Sequence, residues 1–251
     1  MRITTNLFAF LMMGLFYNSM LAQSDFLAQQ KKHERVRKAI EDKQVLIEKK
    51  LKSFEIQLNN VHILFVAFKD VARVDLYCRK QRDDAFRLIR SFPVCAASGD
   101  LGPKRKEGDM QVPEGFYFIN RFNPVSNFYL SLGLNYPNAS DKLKSTYPRL
   151  GGDIFIHGSC VTIGCLPMTD DLIKEIYLYA IHAKNNGQER IPVYIFPFEM
   201  TDQNMMKYRE KFGGDVKLLK FWENLKPGYD AFMQKKKELK FGVTTNGDYS
   251  Y

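Results

Sequence analysis

Histidine and cysteine are scarce, with four of each in 251 residues. The cysteines, Cys78, Cys95, Cys160 and Cys165, include no Cys-x-x-Cys pair. That argues against zinc-ribbon and thioredoxin-like chemistry. Long apolar runs are lacking too. The run Leu7 to Phe16 falls short of the roughly 20 residues that span a bilayer. Acidic residues are in deficit, 28 against 37 Lys and Arg, for a formal net charge of +9. Such a balance favours polyanionic surroundings, but no nucleic-acid motif accompanies it, so nucleic acid is not an expected partner. The remaining composition, 45% hydrophobic and 26% charged, is that of a folded chain with one principal domain and extensions.

Residues 1–22 have the pattern of a secretory signal peptide: Arg2, the short apolar run, and small Ala22 ahead of Gln23. The expected location is the periplasm or cell envelope, with no stable membrane span after cleavage. An uncleaved anchor is the rival. No cysteine follows the run, so a lipoprotein anchor is not supported.

Ser24 to Lys52 reads as one charged helix with Val36, Ile40, Ile47 and Leu51 near one face. Its stretch from Lys31 to Lys52 carries nine Lys/Arg against four Asp/Glu. Val61 to Ala97 reads as a β-meander, with Ile63–Phe68 a continuous apolar run and Arg73–Arg79 alternating. Cys78 and Cys95 lie in these strand-like runs and read as buried structural thiols. Ser98 to Gly115 holds four Gly and two Pro and is a loop. Phe116–Asn120 and Phe128–Leu132 are strand candidates, and Asp170–Lys184 is a helix whose His182 would favour the dipole. Ile191–Phe196 is a strand expected beside the one that ends at His157. Val216–Leu225 is helical, with Pro227-Gly228 expected to interrupt it before a second helix from Tyr229 to Leu239.

The chemistry concentrates in residues 153–168, Asp-Ile-Phe-Ile-His-Gly-Ser-Cys-Val-Thr-Ile-Gly-Cys-Leu-Pro-Met. Asp153–Ile156 is a short strand that delivers His157 at its end, and Cys165 follows from a tight loop. A thiol near an imidazole suits nucleophilic catalysis, and a depressed thiol pKa is expected. Gly164 lets backbone approach a bound carbonyl, so its amide is an oxyanion-hole candidate. Three other readings compete. A metal site of His157, Cys160 and Cys165 lacks a fourth ligand. A redox pair of Cys160 and Cys165 has the wrong spacing. A wholly structural set would be two buried thiols and a satisfied histidine, and for Cys160 packing beside Cys165 is favoured over a disulfide with it.

The stretch resembles the signature of the YkuD-type L,D-transpeptidases, through His157-Gly158 and Thr162-Ile163-Gly164-Cys165. Ile163 and Pro167 stand where that family usually has His and Arg, a departure that resembles its YafK-like, peptidoglycan–protein amidase branch. Gly102–Asp109 with Pro113–Tyr117, and Phe221–Asp230 with Val243–Gly247, carry the resemblance along residues 55–246. It implies a mainly β (α+β) fold, a mixed-sheet catalytic core at 55–200 between a basic N-terminal helix at 23–54 and a helical extension at 201–251. It implies Cys165 as nucleophile, His157 as general base and acid, and Gly164 as oxyanion-hole backbone. Lys104, Arg105 and Thr162 become candidate substrate contacts. No cofactor is called for. The implied partners are peptidoglycan stem peptides and a peptidoglycan-linked protein. The implied activity is hydrolysis of an amide at the L-centre of diaminopimelate, with cross-link formation as the alternative and a catalytically silent wall-binding protein as a third reading.

Overall fold

The computed structural model describes residues 26–83 and 85–251; the signal-peptide reading lies outside them. Among the described residues no helix is long and apolar enough to cross a membrane. A helical turn, α1 (26–31), is followed by a break at Lys32–His33, so the basic segment is not one helix. Then come α2 (Glu34–Lys52), β1 (Val61–Phe68), β2 (Arg73–Lys80), β3 (Arg87–Pro93), β4 (Gly115–Asn123), β5 (Ser131–Leu134), α3 (Ala139–Lys144), β6 (Phe155–His157) and β7 (Leu166–Pro167). The rest is α4 (Asp170–Asn185), β8 (Ile191–Phe196), α5 (Asp202–Lys211), α6 (Val216–Lys235) and the pair β9 (Gly242–Val243) and β10 (Tyr249–Ser250).

Eight strands form one mixed sheet in the order β3-β2-β1-β8-β4-β5-β6-β7. The pairs β1–β8 and β6–β7 are parallel and the others antiparallel. Strand β8 is therefore central, but it lies between β1 and β4. The expectation that it neighbours the His157 strand is wrong, because β4 and β5 intervene. Two-sided burial explains the continuous apolar run of β1. Ile63, Phe65 and Ala67 pack with Val36 and Ile47 of α2 and Ile173 and Ile176 of α4. Leu64, Val66 and Phe68 pack on the other face with Trp222, Leu225 and Phe232 of α6. Strands covered on both faces lose the alternating pattern, and each fully buried large side chain contributes about 1.5–3 kcal/mol.

Helix α6 is continuous through Pro227, correcting the predicted interruption. The proline gives up one backbone donor, and packing compensates. At Gly228 an added Cβ would sit 2.5 Å from Tyr251 and 2.6 Å from Phe116. This glycine is there for close approach to the sheet and does not end the helix. His182 lies within α4, 9% exposed. Burial lowers its pKa to about 4, so it is neutral near pH 7 and adds no charge to the helix dipole.

The two edges of the curled sheet meet. After β3, Val94 N–H donates to the Ala72 carbonyl at 2.7 Å and Cys95 N–H to the Pro167 carbonyl of β7 at 3.0 Å. Cys95 and Cys160 form a disulfide with Cα atoms 5.5 Å apart. This corrects two expectations: Cys95 is not a free buried thiol, and Cys160 is bonded across the sheet edges rather than packed beside Cys165. Cys78 is free and fully buried.

Candidate active site

His157 ends β6, with Ser131 of β5 opposite on one side and Pro167 of β7 on the other. It is 2% exposed. Its Nδ1 lies 2.5 Å from the carbonyl oxygen of Gly158. That oxygen only accepts, so Nδ1 carries the proton and Nε2 presents a lone pair. The Phe128 ring covers the imidazole with centroids 4.7 Å apart. Burial lowers the His157 pKa from the ordinary 6.5, and the Gly158 hydrogen bond acts the other way.

Cys165 immediately precedes β7. Its Sγ accepts the Phe155 N–H at 3.4 Å and donates to the Asp153 carbonyl at 3.5 Å. Burial raises the thiol pKa; the Phe155 N–H lowers it, nearby Asp153 raises it and Lys104 lowers it. The expected depression is thus reversed, because desolvation disfavours the thiolate. Both shifts favour the uncharged forms, a thiol and a neutral imidazole, in two side chains that line one cavity.

The loop between them is held by Thr162. Its Oγ1 accepts from Cys165 N–H at 2.8 Å and Gly164 N–H at 3.1 Å, and donates to the Cys165 carbonyl at 2.9 Å. The Gly164 amide is therefore engaged by Thr162 in this state. Gly164 has φ +135°, and a Cβ there would lie 2.9 Å from the Gln111 carbonyl oxygen, so only glycine fits beneath the 98–115 loop.

His157, Thr162 and Cys165 line one cavity of about 540 Å³, with Phe128, Asp153 and Phe155 among its walls. Cys165 also reaches a second cavity of about 300 Å³, bordered by Ser98, Leu101 and Val112. Lys104 and Arg105 line neither cavity. Lys104 is 4% exposed and pairs with Asp109 at 2.6 Å. Arg105 pairs with buried Asp141 at 2.9 Å and lies over the Phe221 ring. Both side chains already have carboxylate partners.

Sequence reasoning missed the part of the cavity wall formed by Ser126, Asn127 and Phe128. The 124–130 turn is pinned by Arg35 of α2, whose Nη1 donates to the Ser126 carbonyl at 2.5 Å and the Tyr129 carbonyl at 2.7 Å. It also missed Arg121, which pairs with Asp153 at 2.9 Å and lies over the Phe155 ring. Neither carries a local motif; both depend on which strands become neighbours.

The model of YkuD, the L,D-transpeptidase catalytic domain, matches residues 69–195. The chain belongs to the YkuD family of L,D-transpeptidases. It is 38% identical over 200 residues, 79% of this chain and 77% of the relative, to the protein named "Putative L,D-transpeptidase YafK" in Escherichia coli K12. The O157:H7 protein of that name matches equally. Among solved structures, the helical cell shape determining protein Pgp2 of Campylobacter jejuni is 18% identical, with TM-score 0.44 over 73% of each chain. Bd1075 of Bdellovibrio bacteriovorus is 20% identical, with TM-score 0.39 over 70% of this chain and 69% of its own.

Proposed function

We propose that this L,D-transpeptidase-family chain works in the periplasm as a cysteine acyl-transfer enzyme. In this reading it hydrolyses an amide at the L-centre of diaminopimelate, such as the link between a protein lysine and a peptidoglycan stem peptide. The observation that carries the reading is the shared cavity. His157 and Cys165 face one space, and the Gly158 carbonyl leaves Nε2 as the free base.

The steps follow from these groups. Nε2 of His157 takes the Cys165 proton as Sγ adds to the amide carbonyl. The Gly164 N–H exchanges Thr162 Oγ1 for the developing oxyanion. The C–N bond breaks, the imidazolium protonates the leaving amine, and a thioester remains. Water enters, His157 accepts its proton, and collapse yields the carboxylic acid and the free thiol.

Water rather than a second stem peptide is the acceptor in this reading. Ile163 at the cavity rim is 78% exposed and apolar. Pro167 lies in β7 with neither a cation nor a backbone donor to offer. Neither position supplies the planar cation that suits a carboxylate. Cross-link formation is the alternative, and Arg121, half-exposed beside Phe155, is the group that favours it. Mass spectrometry of digested muropeptides after incubation with the purified protein tests the reading. Release of lysine-bearing peptide, lost in Cys165→Ala, is expected. Identical muropeptides with and without the protein would leave only the silent wall-binding reading.

A further inference from the structure

A groove of about 660 Å³ lies outside the thiol site, between the loop at 101–111, the end of α3 and the start of α6. Arg105, Lys144, Lys217 and Lys220 line it, against the single acid Asp215. Asp215 is occupied as the N-cap of α6, its side chain accepting from Leu218 N–H at 2.9 Å. Lys144 pairs with Asp248 at 2.6 Å, and Arg105 with Asp141. Lys217 and Lys220 are exposed. Among the described residues, no ion pair or side-chain hydrogen bond engages their ammonium groups. The lining also includes Leu101, Leu218 and Phe221, so the groove combines apolar surface with cations.

The groove borders the smaller cavity that Cys165 lines. Leu101 lines both it and the smaller cavity that reaches Cys165. Gln111 lines it as well, while its carbonyl is the atom that abuts Gly164. The direction of the substrate follows from the proton. The leaving amine must take a proton from His157, so the amine half occupies the larger cavity, with its apolar Phe128, Phe155, Val161 and Ile163. The acyl half is then left to the other cavity that Cys165 lines, past Val112 and Leu101.

We propose that this groove binds the acyl half of the substrate as a carboxylate-bearing peptide, so that α6, beyond the matched catalytic domain, forms a wall of the recognition surface. The proposal rests on the acyl-transfer reading for the position of the bond. It rests on the groove's own charge for the ligand chemistry: an unpaired Lys217 and Lys220 meet carboxylates by long-range attraction and direct ion pairs.

The test is fluorescence anisotropy on Cys165→Ala protein, which needs no turnover. The probe is a fluorescein-labelled L-Ala-γ-D-Glu-diaminopimelate tripeptide, compared with the same peptide carrying amidated carboxylates. The free-carboxylate probe should bind roughly tenfold more tightly than the amidated one, and Lys217→Glu with Lys220→Glu should remove that preference. Lys217→Ala with Lys220→Ala, milder at these exposed positions, should remove part of it. In enzyme with Cys165 intact, the charge reversal should raise KM by roughly tenfold while kcat holds. Unchanged affinity in both double variants, or equal binding of the two probes, would overturn the groove. If the native enzyme is inactive but the probe still distinguishes the variants, the acyl-transfer reading fails and the groove stands.

Discussion

At the scale of single residues, burial decides both partners of the thiol site. It raises the Cys165 pKa and lowers that of His157, which favours the uncharged form of each. The proposed mechanism requires neutral His157. Its folded pKa lies below the ordinary 6.5, so the acidic limb of kcat/KM should fall below pH 6.5, with activity lost only as pH drops through it. A pH–rate profile with its acidic midpoint at or above 6.5 would speak against this pairing. His182 makes a separate prediction about stability. Its folded pKa of about 4 lies below the ordinary 6.5. Between those values the unfolded chain binds a proton that the folded chain refuses, so stability is retained above pH 6.5 and lost as pH falls toward 4. His182→Gln should flatten that loss by up to about 3 kcal/mol, measured by urea unfolding at several pH values. Parallel slopes for the two proteins would exclude His182 as the source.

At the scale of elements, two devices outside the catalytic motif set the shape of the site. The first is the Cys95–Cys160 disulfide, which ties the chain after β3 to the loop between His157 and Cys165. Cys95→Ser and Cys160→Ser should each destabilise by about 2–4 kcal/mol, and the double variant by no more than either. Thiol titration of the unreduced, denatured protein should find two thiols, Cys78 and Cys165; four would show that the bridge is absent. The second is Arg35 of α2, holding the turn that carries Phe128 over His157. Arg35→Ala should cost about 1.5–3 kcal/mol, as for hydrogen bonds from a charged group. By loosening the Phe128 cover it should also move the acidic limb of the rate profile upward, toward that of Phe128→Ala. A stability loss with an unmoved limb would assign Arg35 a purely structural part.

At the scale of the whole molecule, much of the sheet and the meeting of Cys165 and His157 at one cavity were legible in the sequence, and their surroundings were not. The meander of β1 to β3 was visible because alternation and turn residues are local signals. So was the Cys165 and His157 pair, because a strand end, a glycine and a helix start lie within sixteen residues. Non-local geometry was hidden. The place of β8 between β1 and β4 follows from which strands pair. The partner of Cys160 is 65 residues away. Pro227-Gly228 has the composition of a break, and the demand for a glycine came from Tyr251 and Phe116 approaching across the molecule. The carboxylate partners of Lys104 and Arg105, Asp109 and Asp141, were not foreseen. Lys217 and Lys220, the cations of the proposed groove, precede the Phe221–Asp230 block in α6 and belong to no motif of their own.

The central proposal is that Cys165 and His157 transfer an acyl group from a diaminopimelate amide to water. Product partitioning measures it most directly. The enzyme is given a diaminopimelate-containing stem peptide, with and without a lysine peptide attached at the L-centre, and the free acid is quantified against cross-linked dimer. The expected result is released lysine peptide and free acid in equal amounts, both lost in Cys165→Ala. Predominant L,D-linked dimer with the lysine amide intact, or turnover surviving in Cys165→Ala, would contradict it.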